Sequence, residues 1–204
     1  MRSEYNVPHY FDAIAEGAAE WFEPYAHNII GLAMGNHETS ILKRSEINIT
    51  ERIVALLNSK TGSSIHNAGY SGFLMFNFCY DGRRSSEVIA NYHHGSSSGK
   101  ASANLNAHER RASFVPDADI LMTGHSHTFY NQTVARLRLG RNGHVYHDEQ
   151  LHLGIPSYKD DIKEGSEGWA VQMGFRPHVL GAWWLRFFWC NKAERVLFEP
   201  VPAK

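Results

Sequence analysis

Three short segments of this chain place imidazole, amide and carboxylate groups where an apolar run stops. Gly35-Asn36-His37-Glu38 follows "NIIGLAM", His93-His94-Gly95 follows "EVIANY", and Gly124-His125-Ser126-His127 follows "ADILMT". Imidazole nitrogens suit Zn, Fe, Ni and similar ions, and an imidazole beside a carboxylate can do acid or base work. His125 and His127, two positions apart, face the same way if the chain stays extended there. Gly124 lets the backbone approach a ligand closely. A single His-x-His is weak evidence, whereas three strand-end loops of the same make are much stronger. In α/β sheets, ligands bind beyond the carboxyl ends of the strands. Neighbouring strands of this kind would therefore gather His37, His93, His94, His125, His127 and Asn36 although they lie far apart in sequence.

The bland readings stand beside these. By spacing alone, Asn36-His37-Glu38 suits a helix cap or a turn equally well. One of His93 and His94 is expected to be only a half-buried polar residue at a strand end. The other histidines, among them His108, His152 and His178, share no such grammar, so surface or hydrogen-bonded core roles are expected. Arg110-Arg111 and similar pairs read as a solvated face.

The elements that must position these residues can be traced along the chain. Residues 8 to 23 predict an amphipathic helix, with Pro8 in its first turn, and Pro24 ends it. "HNIIGLAM" then reads as a short strand buried on both faces. A helix over about 49 to 59 opens at Asn48, with Glu51 three positions later in the manner of a capping box. "SGFLMFNFCY" and "SEVIANYHH" read as strands joined by "DGRR", residues 96 to 106 as a polar loop, and 106 to 114 as a short helix. "ADILMT", "TVARLRL", "GHVYHDEQLHLG" and "AWWLRFFWC" complete the strands. The aromatic run Trp183, Trp184, Phe187, Phe188 and Trp189 is read as a sheet packed on both faces or an oligomer contact. With no repeat or linker, one mixed α/β domain over 1–204 is expected.

Composition narrows the class. With 204 residues, 43% hydrophobic, 20% charged and a formal net charge of -1, the chain is an ordinary globular sequence with no global signature of a nucleic-acid or membrane partner. Cys79 and Cys190 make neither a disulfide scaffold nor a zinc spacing, which suits reduced thiols in a cytoplasmic protein. No signal-peptide core or membrane span is expected.

The ordered set Gly-Asn-His-Glu, His-His-Gly and Gly-His-Ser-His resembles the calcineurin-like metallophosphoesterases. The stretch "GIPSYKDDIKEGSEGWAVQMGFRPHVLGAWWLRF" looks like the closing segment of phage-type members. The resemblance implies a sandwich of two mixed β-sheets flanked by helices. It also implies roles: Asn36 binds a metal through its amide oxygen, His37 is the catalytic histidine and Glu38 orients it. His93 or His94 is the next ligand, His125 shares the ion of Asn36, and His127 binds a second ion. The cofactor would be Mn, Fe, Ni, Co or Zn, and the substrate a phosphate mono- or diester, with nucleotides and nucleic acids compatible.

The sequence departs from that family upstream. Its Asp-x-His and Gly-Asp motifs have no counterpart before Gly35; Asp12 sits within a helix. Two divalent ions about 3.5–4 Å apart need anionic bridges, and Asn36, His93, His125 and His127 are all neutral. One ion or none is therefore expected in this chain alone, and two in a completed site. Missing N-terminal strands, on a complementing polypeptide or replaced by self-association at an exposed sheet edge, are one expectation. A silent binding or assembly subunit and a mononuclear hydrolase are the others. Asp117 and Asp119 are candidate substitute carboxylates by proximity.

Overall fold

The computed structural model describes residues 9–80, 82–95, 101–160 and 177–203, so Pro8, Asp81 of the "DGRR" turn and residues 161–176 of the phage-like closing segment lie outside the described residues. The chain has mixed α/β structure and divides into two compact units, Met1–Gly72 and Phe73–Lys204.

The first unit is built on helices α1 (Tyr10–Phe22) and α3 (Ile49–Thr61). Small residues let them approach: Ala19 of α1 is fully buried in a core with Ala26, Val54, Leu57 and Ile65. Ion pairs at the rim tie α3 to α1 and to the turn after it, Arg52 with Asp12 and Lys60 with Glu23. Pro24 starts a 3-10 turn (Glu23–Asn28). α3 begins where the sequence predicts. The Asn48 Oδ1 accepts the Glu51 N–H at 3.1 Å, and Gly62, at φ 70°, closes the helix in the left-handed conformation. Asn58 then pins the chain that follows, accepting the Ile65 N–H at 2.8 Å and donating to its carbonyl at 2.9 Å.

The expected buried strand after this turn is corrected. β1 is only Gly31–Ala33; it pairs in parallel with β2 (His66–Gly69) in a two-stranded sheet, and Ile30 beside it is 58% exposed. Being one of just two paired strands, it is not covered on both faces. Its exit leads directly into α2 (Asn36–Ser45).

The second unit holds a five-stranded sheet ordered β3-β4-β5-β7-β6: β3 (Ser71–Tyr80), β4 (Arg83–His93), β5 (Ile120–Thr123), β7 (Val145–Gly154) and β6 (Tyr130–Leu139). β4, β5 and β7 run parallel, and β6 is antiparallel to β7. The register sets Asn91 beside Leu121 and Leu121 beside His152. Strand alternation therefore splits the sheet into two unlike faces. One carries Val88, Ala90, Ile120, Leu151 and Leu153 and packs on the hairpin of β8 (Ala182–Cys190) and β9 (Arg195–Ala203) through Leu185, Phe187 and Phe198. The other carries Asn91, His93, Thr123, Gln150 and His152. It is covered by α4 (Ala101–Ala112), whose Arg111 bonds Asn91 and whose His108 stacks on His152.

Three sequence expectations change here. α4 starts five residues before 106, inside the stretch read as a loop, because Ser and Asn between alanines still allow a helix once it has a sheet to cover. β9 escaped notice because Pro200 and Pro202 argue against a strand; as a partner of β8 alone it tolerates residues without an N–H. Of the two readings of the aromatic run, the sheet packed on both faces is corrected, since the run packs on one face only. Phe187 lies 5.0 Å from both Phe76 and Phe78, while Trp184 is 68% and Phe188 42% exposed, because the hairpin is an outer layer.

Candidate functional site

β4 and β5 are adjacent and parallel, with His93 paired to Thr123, so their exit loops emerge side by side. The Gly124 N–H continues the ladder to the His93 carbonyl at 3.1 Å. The loops then touch backbone to backbone. A Cβ at Gly95, φ 96°, would stand 2.8 Å from the Gly124 carbonyl, and one at Gly124 would stand 3.2 Å from the His94 carbonyl. Glycine is required at position 95 on both counts, conformation and contact.

This close packing brings two imidazoles together. His125 Nδ1 and His94 Nε2 are 3.2 Å apart, with the rings edge to face at 5.1 Å. His93 is turned differently: its Nδ1 accepts the Gly95 N–H at 2.7 Å. A histidine that binds a metal through Nε2 needs its other nitrogen protonated, which this bond opposes. Of the two candidates left open by the sequence, His94 is the one placed at His125. Burial, then the nearby Arg111 charge, then His94 hold His93 below the ordinary imidazole range.

The third loop residue departs from expectation. His125 and His127 have φ of 67° and 50°, so the segment is not extended and the two-residue alternation does not apply. The Ser126 N–H turns back to the Gly124 carbonyl at 2.8 Å. Left-handed backbone at two non-glycine residues is costly and clusters at functional sites. The His127 ring meets His178 edge to face at 5.9 Å. His178, alone between Pro177 and Val179, gave no signal in the sequence.

In the first unit, Asn36 is the first residue of α2 and Gly35 its cap. The Glu38 carboxylate accepts the Gly35 N–H at 2.8 Å, the reciprocal half of a capping box. His37 is exposed and makes no side-chain hydrogen bond among the described residues. Glu38 thus has a helix-capping contact in this structure. β1, which precedes these residues, belongs to a different sheet from β4 and β5.

Asp117 and Asp119 do not serve as substitute carboxylates at the histidine loops. They precede β5 whereas His125 follows it, and four strand residues span about 13 Å. Asp119 Oδ2 accepts the Ile89 N–H at 2.9 Å, and Asp117 is 84% exposed near Arg138. A cavity of about 380 Å³ lies toward that same end, lined by Asp119, Asp148 and residues of β9, and includes none of the histidines. Arg111, read from sequence as part of a solvated face, is 8% exposed; its Nε donates to Asn91 Oδ1 at 3.0 Å.

The donor set offers two nitrogens toward one ion. With metal–nitrogen bonds of about 2.0–2.1 Å, two nitrogens on a tetrahedral ion stand about 3.3 Å apart, close to the His94–His125 separation. It does not suit a dinuclear cluster: among the described residues no three of His, Cys, Asp and Glu converge.

No family model and no curated protein matches the chain. Three solved structures of Vps29 from Entamoeba histolytica are similar in part. A doubly substituted form shares 14% identity at a TM-score of 0.38, covering 91% of this chain and 89% of that one. A singly substituted form shares 17% at 0.32, covering 91% and 89%. The wild type complexed with zinc shares 13% at 0.33, covering 90% and 88%. No helix among the described residues is long and apolar enough to cross a membrane.

Proposed function

We propose that the chain is a metal-dependent phosphoesterase in which His94 and His125 hold one divalent transition-metal ion. The observation that carries this reading is the 3.2 Å approach of their ring nitrogens at the carboxyl ends of two adjacent parallel strands. The order of the motifs, with Asn36, His37 and Glu38 ahead of the two histidine loops, supports a phosphoesterase, and His37 is assigned to protonating or stabilising a leaving oxygen. Bound there, the ion would polarise a phosphoryl oxygen and lower the pKa of a water. Mn, Fe, Ni, Co and Zn all suit the donors, and the substrate is a phosphate mono- or diester, nucleotides and nucleic acids included. His127, beside His178, is assigned to a second ion, which would need carboxylates beyond those the described residues bring together, a complementing polypeptide being one source.

The test measures metal per chain on purified protein and hydrolysis of bis(4-nitrophenyl) phosphate with Mn added. One ion per chain with turnover supports the proposal; a chain that binds no ion sinks it. A second reading, a catalytically silent binding or assembly subunit, is favoured by the lack of converging carboxylates among the described residues. One ion without turnover is its signature.

A further inference from the structure

We propose that the sheet face beneath α4 holds a single internal water molecule bound by His108, His152 and Tyr130. His108 packs against both of the others: its ring lies edge to face with Tyr130 at 5.0 Å and stacks on His152 at 5.9 Å. His108 is 3% and His152 1% exposed. The Nδ1 atom of each, and the Tyr130 hydroxyl, are buried without a hydrogen-bond partner among the described residues. Three orphaned polar atoms on neighbouring rings would together cost free energy comparable to a domain's whole stability.

The chemistry of the three atoms selects the occupant. The Gln150 amide donates to the Ala118 carbonyl at 2.7 Å, which turns its oxygen toward His152 Nε2 at 2.9 Å. His152 must then donate from Nε2, leaving a lone pair on Nδ1. Burial, with His152 and Arg111 nearby, holds His108 down to about 4, so it too is neutral at pH 7. Burial raises the Tyr130 phenol, which keeps its proton and donates. The site therefore offers an acceptor at His152 Nδ1, a donor at Tyr130 and, at neutral His108, one or the other by tautomer. A water, which can give two hydrogens and accept two, matches either set, within the usual complement of buried waters. A cation is disfavoured: none of the three groups is a carboxylate, Arg111 acts on His108, and Arg136 opposes Glu109 at His152. The water ties α4 to β6 and β7 and holds Arg111, three residues along α4, over Asn91 near His93.

High-resolution diffraction from chelator-treated crystals, recorded on both sides of the zinc edge, tests this. The expected result is one peak within hydrogen-bonding distance of all three atoms, with no anomalous signal, weakened at least twofold in Tyr130→Phe. An anomalous peak would make it a metal site, and no peak would make it dry; either overturns the proposal. In solution, imidazole nitrogen NMR at pH 7 should find His152 protonated on Nε2 alone and His108 neutral, and a proton on His152 Nδ1 or a charged His108 would overturn it without crystals or variants.

Discussion

His125 Nδ1 stands 3.2 Å from His94 Nε2 across two strand-end loops that meet through glycine backbone. The contact depends on a left-handed His125, φ 67°, which swings the ring out of the line an extended chain would give it. The pair is thus a product of loop packing, and its consequences separate His94 from its neighbour His93.

Replacing either member of the pair should therefore weaken metal binding. His94→Ala and His125→Ala are each expected to raise the dissociation constant for Zn or Mn at least about tenfold. His93→Ala should change it by less than about threefold, since His93 Nδ1 is occupied by the Gly95 N–H. Calorimetric titration of the three variants decides the matter; a larger loss in His93→Ala than in His94→Ala would reverse the assignment.

Two glycine substitutions should act in opposite directions. Gly95→Ala meets both a φ of 96° and a carbonyl 2.8 Å away, and should cost at least about 2 kcal/mol. Gly17→Ala, inside α1 with nothing within 4 Å, should stabilise by about 0.5–1 kcal/mol. Urea denaturation measures both, and equal effects would mean that the loops do not pack as described.

The role of Glu38 can be read from its amide. Glu38→Gln keeps an oxygen for the Gly35 N–H, so stability should stay within about 0.5 kcal/mol, whereas Glu38→Ala should lose about 1. If the carboxylate also orients His37, Glu38→Gln should cut turnover without cutting stability. Turnover and melting temperature measured on the same samples separate the cap from the catalytic role.

Acid should destabilise the second unit before carboxylates titrate. His108 sits near 4 in the folded state against 6.5 unfolded, and His152 is also lowered, chiefly by burial. Both rings stay neutral in the native protein while the unfolded chain takes up protons. Stability is therefore complete above about pH 6.5 and is lost as pH falls toward 4, by on the order of 3 kcal/mol for His108. Denaturation at pH 7, 5.5 and 4.5 should show this slope, and His108→Gln should flatten it. An unchanged slope would assign the acid sensitivity elsewhere.

Much of the secondary structure was legible because local chemistry fixes it. Asn48 and Glu51 mark the start of α3, and the apolar run ending at Thr123 marks β5, since caps and burial patterns act over a few residues. β9 and the first turns of α4 were hidden because prolines and small polar residues lower local propensity, and only a partner strand or a sheet to cover restores it.

The sequence by itself determined that histidines follow the apolar runs of β4 and β5, and which residue types could bind an ion. Only tertiary structure decided which of them meet. A parallel ladder aligned His93 with Thr123, glycine contact brought His94 rather than His93 to His125, and left-handed backbone parted His125 from His127. It also turned Arg111 inward and buried His108 with His152, because strand alternation left the sheet one polar face that α4 had to cover. Ring pairing and burial arise from contacts between residues far apart in the chain, and no local pattern encodes their distances.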